Sequence, residues 1–208
     1  MPKIAATILA AGLGERLGGR PKAALQIGGT SMLERLVMAL RDAGVSDVHV
    51  VIGPYAETLL PLVARSGARA VMHQHPNPSL IDSQRLALNA HEQSLSNHDL
   101  MLVLADLPLL NATDVVHLMS HWQQRASTVQ ALMPMVDGVR GHPLLLSQQA
   151  VALVTATPNH LGVRAWLDSH PSAVWQLNCA QKSFVTDVDN HEDILKLQTH
   201  LHPTLVTW

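Results

Sequence analysis

Polar and apolar positions follow two alternating patterns along this chain. Short apolar runs, typical of buried strands in a parallel sheet, alternate with longer segments whose apolar residues recur at helical spacing. The strand-like runs are residues 3–9, 47–53, 69–72, 100–105, 128–134, 173–177 and 184–188, with a further stretch at 141–146. The helix-like segments are residues 31–44, 56–65, 80–93, 113–124, 148–155, 162–169 and a closing helix from about 191. This alternation predicts one α/β domain over residues 1–208, with a mostly parallel central sheet flanked by helices.

Two of these elements carry further local signals. Residues 100–105 (LMLVLA) are continuously apolar, so we expect this strand at the centre of the sheet, covered on both faces. Thr30 or Ser31 is suited to cap the first helix, because Glu34 follows in its first turn and Gly44 lies at its end.

Composition excludes several classes of function. The 14 Lys and Arg residues against 16 Asp and Glu leave a net charge of -2, which argues against a nucleic-acid partner. Cys179 is the only cysteine, so no internal disulfide can form and a cytoplasmic location is expected. The apolar run at 4–13 is too short to span a membrane and continues into Gly14-Glu15-Arg16, so we interpret it as a strand and expect no membrane partner.

Histidine is abundant, with 13 copies in the chain. The pairs His73/His75 and His117/His121 have spacings that metal sites use, but neither has a neighbouring Cys or the Glu of a zinc-protease signature. We therefore interpret these histidines as solvated or packed side chains.

The most informative stretch follows the first predicted strand and reads LAAGLGERLGGRPK from Leu9 to Lys22. Its four glycines allow the backbone to approach a ligand closely, with several amides directed into one concavity. Arg16, Arg20 and Lys22 add three positive charges within seven residues. Together these features predict a cradle for a polyphosphate, and the alternative is a mobile glycine-rich turn with solvated basic residues.

Two common phosphate-binding motifs do not fit this stretch. A P-loop requires a Lys and a hydroxyl residue after its second glycine, whereas Gly19 is followed by Arg20-Pro21. A dinucleotide fingerprint requires glycine at its third position, where this chain has Leu17.

Two carboxylates follow predicted strands. Asp106 comes directly after the central strand, and Asp189 follows the run at 184–188, with Asp187 as a rival because strand alternation turns both side chains to one face. Strand ends of this kind are where open α/β sheets bind ligands. Two converging carboxylates form a hard oxygen site that suits Mg²⁺, and the alternative is that each aspartate caps a turn or helix.

The stretch LAAGLGERLGGRPKAAL resembles the signature Leu-Ala-Ala-Gly-x-x-x-Arg-Leu/Met-Gly-x-x-Lys of nucleotidyltransferases with a Rossmann-like, GT-A-like fold. It is most similar to the molybdopterin nucleotidyltransferases, the group of molybdenum cofactor cytidylyltransferases and guanylyltransferases. The resemblance extends over essentially the whole chain. Residues 82–86 (DSQRL) and 140–143 (RGHP) are similar to later, shorter elements of the family, although Asp82 departs from the small hydroxyl residue expected at its position.

The resemblance implies a role for each matching residue. Arg16, Lys22 and Asp106 are the expected catalytic residues, Asp106 and Asp189 the expected ligands of a Mg²⁺ cofactor, and Arg140 and His142 the expected contacts on the acceptor side. The expected nucleotide contacts are Leu9, Ala10, Ala11, Gly12, Gly14, Arg16, Lys22, Ser83, Arg85 and Asp106.

The implied reaction transfers a nucleoside monophosphate from an NTP to a phosphorylated acceptor and releases pyrophosphate. Ala11 favours CTP over GTP in the resembling group, and molybdopterin is then the expected acceptor, with a molybdoenzyme or its maturation factor as a protein partner. Alternatives are a sugar-1-phosphate nucleotidyltransferase, a non-catalytic nucleotide-binding accessory protein and a dinucleotide-dependent oxidoreductase.

Overall fold

A computed structural model describes residues 3–208 and arranges most of them around one large sheet. Its strands, together with those of a small second sheet, are β1 (Lys3–Ala10), β2 (Gln26–Ile27), β3 (Thr30–Ser31), β4 (Val48–Ile52), β5 (Arg69–Met72), β6 (His98–Leu104), β7 (Ala131–Val136), β8 (Val139–Arg140), β9 (Leu144–Leu146), β10 (Val174–Asn178) and β11 (Val206–Thr207). The helices are α1 (Met32–Asp42), α2 (Ala56–Ser66), α3 (Leu80–Leu95), α4 (Ala112–Gln123), α5 (Gln148–Thr155), α6 (Val163–Ser169) and α7 (His191–Leu201). The predicted α/β class is confirmed.

The large sheet has the strand order β10-β7-β9-β6-β1-β4-β5, with β8 paired to β7. Strands β6, β1, β4 and β5 run parallel to one another, and β10 is parallel to β7. Only β9, between β6 and β7, and the short β8 pair antiparallel with their neighbours in this sheet. The predicted central position of the 100–105 run is confirmed, since β6 lies in the middle of this order.

Helices cover both faces of the large sheet, which explains why its central strands are apolar throughout. Buried residues of α1, α2 and α4 pack on one face, and buried residues of α3, α5 and α6 pack on the other. Trp122 of α4 is the largest fully buried side chain, and its indole N–H donates to the buried Asp99 carboxylate at 2.9 Å. No helix within residues 3–208 has the length and apolar character needed to cross a bilayer.

The start of α1 agrees with the sequence prediction. Ser31 is the N-cap, its hydroxyl accepts from the backbone N–H of Glu34 at 3.2 Å, and the Glu34 carboxylate accepts from the backbone N–H of Ser31. This reciprocal capping box satisfies two backbone donors that the first helical turn leaves free.

The prediction of a strand at 184–188 is wrong. Residues Lys182–Phe184 form a 3-10 turn, and the amides of Val185 and Thr186 bond back to the carbonyl of Lys182. The amide of Val188 then donates to the carbonyl of Asp106 at 3.0 Å. The local turn bonds and this single contact to the end of β6 replace the ladder that a strand would require.

A second, three-stranded antiparallel sheet in the order β11-β2-β3 was not predicted. Each strand is two residues long, which is too short to produce a hydrophobic period. The sheet joins the end of the chain to the segment that follows the glycine-rich loop.

Candidate active site

The glycine-rich loop leaves the carboxyl end of β1 and folds back on itself. The carbonyl of Gly14 accepts from the amides of Leu17 and Gly19, at 2.8 and 3.0 Å. Gly14 has a φ of 59°, and a Cβ atom at this position would lie 1.9 Å from the Arg20 carbonyl oxygen. Only glycine therefore fits here. Leu17, 1% exposed, anchors the loop in a small apolar core with Leu25.

A cavity of about 210 Å³ opens beside the carboxyl ends of β1 and β6. These ends coincide because the two strands are parallel and Leu9 pairs with Leu104. Seven of the predicted site residues line the cavity, namely Leu9, Ala10, Ala11, Gly12, Lys22, Ser83 and Asp106. The walls are mainly apolar, as expected where a base and sugar would lie. The sequence analysis missed Ala23, Pro78, Ser79, Leu80, Leu104 and Ala105, which complete the lining.

A second cavity of about 310 Å³ shares Gly12, Lys22 and Pro78 with the first. Its other lining residues come from the glycine-rich loop and from the segment before α7, namely Leu13, Gly14, Glu15, Arg16 and Asp189. The two cavities therefore adjoin at Lys22. The chain presents an apolar compartment followed by one with polar and charged walls, which matches the two ends of a nucleotide.

Lys22 joins the two predicted metal-binding carboxylates. Its Nζ lies 3.0 Å from Asp106 Oδ2 and also contacts Asp189 Oδ1, while Arg16 Nη2 lies 2.9 Å from Asp189 Oδ2. Burial disfavours the charged form of Lys22, but attraction to Asp106 and the bonds to both carboxylates outweigh it and raise the pKa of the amine. The bond from Lys22, with the charges of Lys22 and Arg16, lowers the pKa of Asp189 despite burial.

Asp187 occupies a different position from Asp189. It lines a groove beside Pro108 and α7, and burial followed by repulsion from Asp106 and Asp189 raises its pKa. The strand alternation expected to turn both aspartates to one face is absent, because residues 184–188 do not form a strand. Of the two rivals, Asp189 is the one bonded to Lys22 and Arg16.

Asp106 has one oxygen bonded to Lys22, whereas its Oδ1 is buried without a hydrogen-bond partner. A buried, unpaired carboxylate oxygen is costly unless a cation or donor is supplied from outside the chain. Within residues 3–208, no three His, Cys, Asp or Glu side chains form a metal-binding group. A cation held by Asp106 and Asp189 would complete its shell with phosphate and water oxygens, which suits Mg²⁺.

The pairs His73/His75 and His117/His121 stay interpreted as solvated or packed side chains. His73 Nδ1 accepts from the backbone N–H of His75 at 3.2 Å, and the rings of His117 and His121 lie 4.5 Å apart. Both pairs make local contacts of their own.

The beginning of α3 explains the unusual Asp82. Ser79 caps the helix, its hydroxyl accepts from the Asp82 amide at 3.1 Å, and the Asp82 carboxylate accepts from the Ser79 amide at 2.8 Å. Ser83 donates to the Ser79 carbonyl at 3.1 Å and lines the first cavity. The Ser-x-x-Asp spacing before an apolar helix is a recognisable capping signal that the sequence analysis overlooked.

The position of Arg85 differs from the nucleotide contact that the sequence predicted. Its guanidinium is buried and donates to the carbonyls of Val154, Thr155, Thr157 and Pro158 at the carboxyl end of α5, and it lines neither cavity. The last turn of a helix leaves carbonyls without partners and carries partial negative charge, so a cation is favoured there. Arg85 thus joins α3 to α5, and its predicted contact with the nucleotide is not supported.

The two acceptor-side candidates differ in position. His142 lies close enough to Asp106 for the carboxylate charge to act on the pKa of the imidazole. Burial lowers the pKa of His142, against the opposing effects of Asp106 and a bond to the Leu102 backbone. Arg140 is half-exposed on β8 and pairs with Asp168 at 2.7 Å, outside both cavities. Their role toward an acceptor stays a prediction.

Comparison with known proteins adds family information to this geometry. Residues 6–174 match the family described as the MobA-like NTP transferase domain. The chain is 30% identical over 203 residues to nicotine blue oxidoreductase of Paenarthrobacter nicotinovorans, which covers 95% of this chain and 97% of that protein. It is 33% identical to 2-C-methyl-D-erythritol 4-phosphate cytidylyltransferase of Frankia casuarinae over 79% of this chain, and it spans 58% of that relative's length.

Solved structures share the fold. A nucleotidyl transferase from Methanothermobacter thermautotroptrophicus superposes with a TM-score of 0.76 at 17% identity, covering 97% of this chain and 98% of that one. A Mycobacterium tuberculosis protein in complex with manganese gives a TM-score of 0.69 at 20% identity, covering 94% of this chain and 97% of that one.

Proposed function

This chain belongs to the family of MobA-like NTP transferase domains, and from that premise we propose that it transfers a nucleoside monophosphate from an NTP to a phosphorylated small-molecule acceptor. CTP is the proposed donor and the terminal phosphate of molybdopterin the proposed acceptor. The observation that carries the proposal is the position of Lys22, which lies where the two cavities adjoin and contacts both Asp106 and Asp189.

The reaction requires that two anionic groups meet. An oxygen of the acceptor phosphate attacks the α-phosphorus, a new P–O bond forms, and the bond to the β-phosphate breaks with its electron pair leaving on pyrophosphate. The acceptor phosphate is already ionised near neutral pH, so no general base is needed. The protein's task is to hold the groups in line and to balance their charge.

The residues of the cleft divide this task. The apolar cavity beside Ala11 receives the base and sugar, and the amides of the loop around Gly12 and Gly14 face the phosphates. Lys22 and Arg16 supply positive charge to the triphosphate and the leaving pyrophosphate. Asp106 and Asp189 would hold a divalent cation, which would neutralise phosphate charge when bound. One structural neighbour was solved in complex with manganese, which supports the use of a divalent ion.

The direct test measures pyrophosphate release from protein, Mg²⁺, molybdopterin and each NTP in turn. We expect release with CTP, and release that appears only with a sugar phosphate would favour the sugar-1-phosphate alternative. Absence of release with every NTP and acceptor would refute the proposed activity.

Asp106→Asn separates an enzyme from a non-catalytic nucleotide-binding protein. It keeps the shape of the side chain and removes one of the two carboxylates, so turnover should fall by about 10²- to 10³-fold. Asp42→Asn is the matched control, because Asp42 is exposed at the end of α1 and the charge change is the same. Equal activity of Asp106→Asn and Asp42→Asn would contradict the proposed role of Asp106.

A dinucleotide-dependent oxidoreductase is a second candidate, favoured by one observation. The relative that aligns over 95% of this chain is named an oxidoreductase. Against it, Leu17 replaces the third glycine of the dinucleotide fingerprint and is buried in the small core. A fall in the absorbance of added reduced nicotinamide cofactor, in the presence of an electron-accepting substrate, would identify this activity.

A further inference from the structure

The small sheet connects the last residues of the sequence to the glycine-rich loop. In this sheet β11 pairs with β2, with Val206 opposite Ile27 and Thr207 opposite Gln26. Strand β2 begins two residues after the 3-10 turn Lys22–Ala24, which contains the central lysine of the site. The amide of Gly28 also donates to the Leu205 carbonyl at 2.8 Å. The backbone that follows Lys22 is thus held by residues 205–207.

Trp208 contacts the loop itself. The Arg20 guanidinium carbon lies 5.3 Å from the centroid of the Trp208 ring, within the range of a cation–π interaction. Arg20 is two residues before Lys22 and follows Gly18 and Gly19, both at positive φ. The segment 18–20 therefore has an aromatic contact on Arg20.

Side-chain hydrogen bonds from α7 hold β11 in position. The Gln198 side chain accepts from the Val206 amide at 2.7 Å and donates to the Thr204 carbonyl at 3.2 Å. The same small core that contains Leu17 of the loop also contains Val188, next to Asp189, and Leu197 of α7. One packing unit therefore joins the loop, the second carboxylate and the end of the chain.

We propose that Trp208 is a positioning residue, which acts through Arg20 to hold loop residues 12–24 in the conformation that receives a triphosphate. This role of Trp208 rests on the proposed function, because a triphosphate is taken as the ligand of the loop. It also goes beyond the family match, since residues 204–208 lie outside residues 6–174. The side chain of Trp208 touches Arg20, and its effect on the nucleotide is indirect.

Steady-state kinetics with CTP provide the first test. Trp208→Ala should raise the KM for CTP about threefold, the size expected of one exposed cation–π contact, and leave kcat unchanged. Trp208→Phe retains an aromatic face and should restore most of the loss. Leu205→Ala is the control on the same segment, because Leu205 is 66% exposed and its backbone contact to Gly28 is kept. Once Trp208 is alanine, adding Arg20→Ala should raise KM by less than it does in the wild type.

Hydrogen exchange of the loop provides a second test that does not depend on activity. Trp208→Ala should speed exchange of amides in residues 12–24 about threefold while α5 is unchanged. Wild-type protein that releases no pyrophosphate would refute the proposed function, and loop exchange would still test the contact. Unchanged KM and unchanged loop exchange in Trp208→Ala would overturn the inference. It would equally be overturned if unfolding became easier without any change in KM or loop exchange, since Trp208 would then act on stability alone.

Discussion

Arg85→Met separates a structural role for this arginine from the nucleotide contact that the family resemblance implies. Methionine keeps most of the buried aliphatic length and removes the guanidinium. The substitution removes the guanidinium donor from the carbonyls of Thr155 and Pro158, whereas the Val154 carbonyl keeps the amide and hydroxyl of Thr157. Arg85 itself is only 8% exposed. We therefore expect a large loss of stability with little change in the chemistry of the cleft.

The magnitude follows from the contacts. A hydrogen bond from a charged donor contributes about 1.5–3 kcal/mol, and a cation at a helix carboxyl end contributes about 0.3–1 kcal/mol more. The guanidinium has two terminal nitrogens that donate, but the acceptors beyond residue 154 are partly exposed and can be rehydrated. Taking two bonds at the lower limit gives a loss of about 3 kcal/mol. For a chain of this size, that loss corresponds to a fall in Tm of roughly 6–12 °C.

Urea unfolding and steady-state kinetics at a temperature where both proteins are folded provide the assay. The matched control is Arg35→Met, the same substitution at an exposed position of α1, with an expected effect within about 0.5 kcal/mol. The KM for the NTP should stay within about twofold of wild type, because Arg85 lines neither cavity. A stability loss below about 1 kcal/mol combined with a large rise in KM would refute the structural assignment and restore the nucleotide contact.

Two further predictions concern the loop and the far side of the sheet. Gly14→Ala should raise the KM for the NTP at least about tenfold, because the new Cβ would clash with the Arg20 carbonyl and alanine disfavours the left-handed backbone conformation. Gly18→Ala is the control, because Gly18 also has a positive φ but a Cβ there would have no atom within 4 Å. An equal rise in KM for both variants would indicate that backbone strain of about 1–2 kcal/mol is the sole cause. Burial lowers the pKa of His49, where Arg69 and His91 add to the effect and Asp47 opposes it. Burial also lowers the pKa of His91. Since each folded-state pKa lies below the unfolded value, the unfolded chain binds more protons, so the free energy of unfolding should fall as the pH drops below about 6.5, by up to about 1.4 kcal/mol per pH unit for each histidine. Urea unfolding between about pH 5 and pH 7.5 measures this slope, and an equally steep slope in His91→Leu would exclude His91 as a source.

Much of the fold follows from short-range features of the sequence. The apolar run of β6 has no polar position to place on a wet face, so its burial at the centre of the sheet could be predicted from residues 100–105 alone. The cap of α1 needs only Ser31 and Glu34, three residues apart. The glycine-rich loop could also be predicted from the sequence, because its glycines and basic residues are clustered within one short segment.

Other features depend on pairings between distant segments. The run at 184–188 has the composition of a strand, but its amides bond within a local turn and to the carbonyl of Asp106. Arg85 was assigned from its place in a family pattern, whereas the helix end that it caps lies about 70 residues further along the chain. The two-residue strands of the small sheet have no period to detect, and β11 joins β2 and β3 from the other end of the sequence.

The sequence by itself determined the alternating elements, the glycine-rich loop and the candidate carboxylate Asp106, because hydrophobic period, capping and glycine content act over a few residues. Only the tertiary structure decided that Asp189 rather than Asp187 contacts Lys22, 167 residues away, and that Trp208 lies on Arg20. Contacts of that kind depend on how α7 and the small core pack against the loop, and packing is a property of the assembled faces rather than of any one segment.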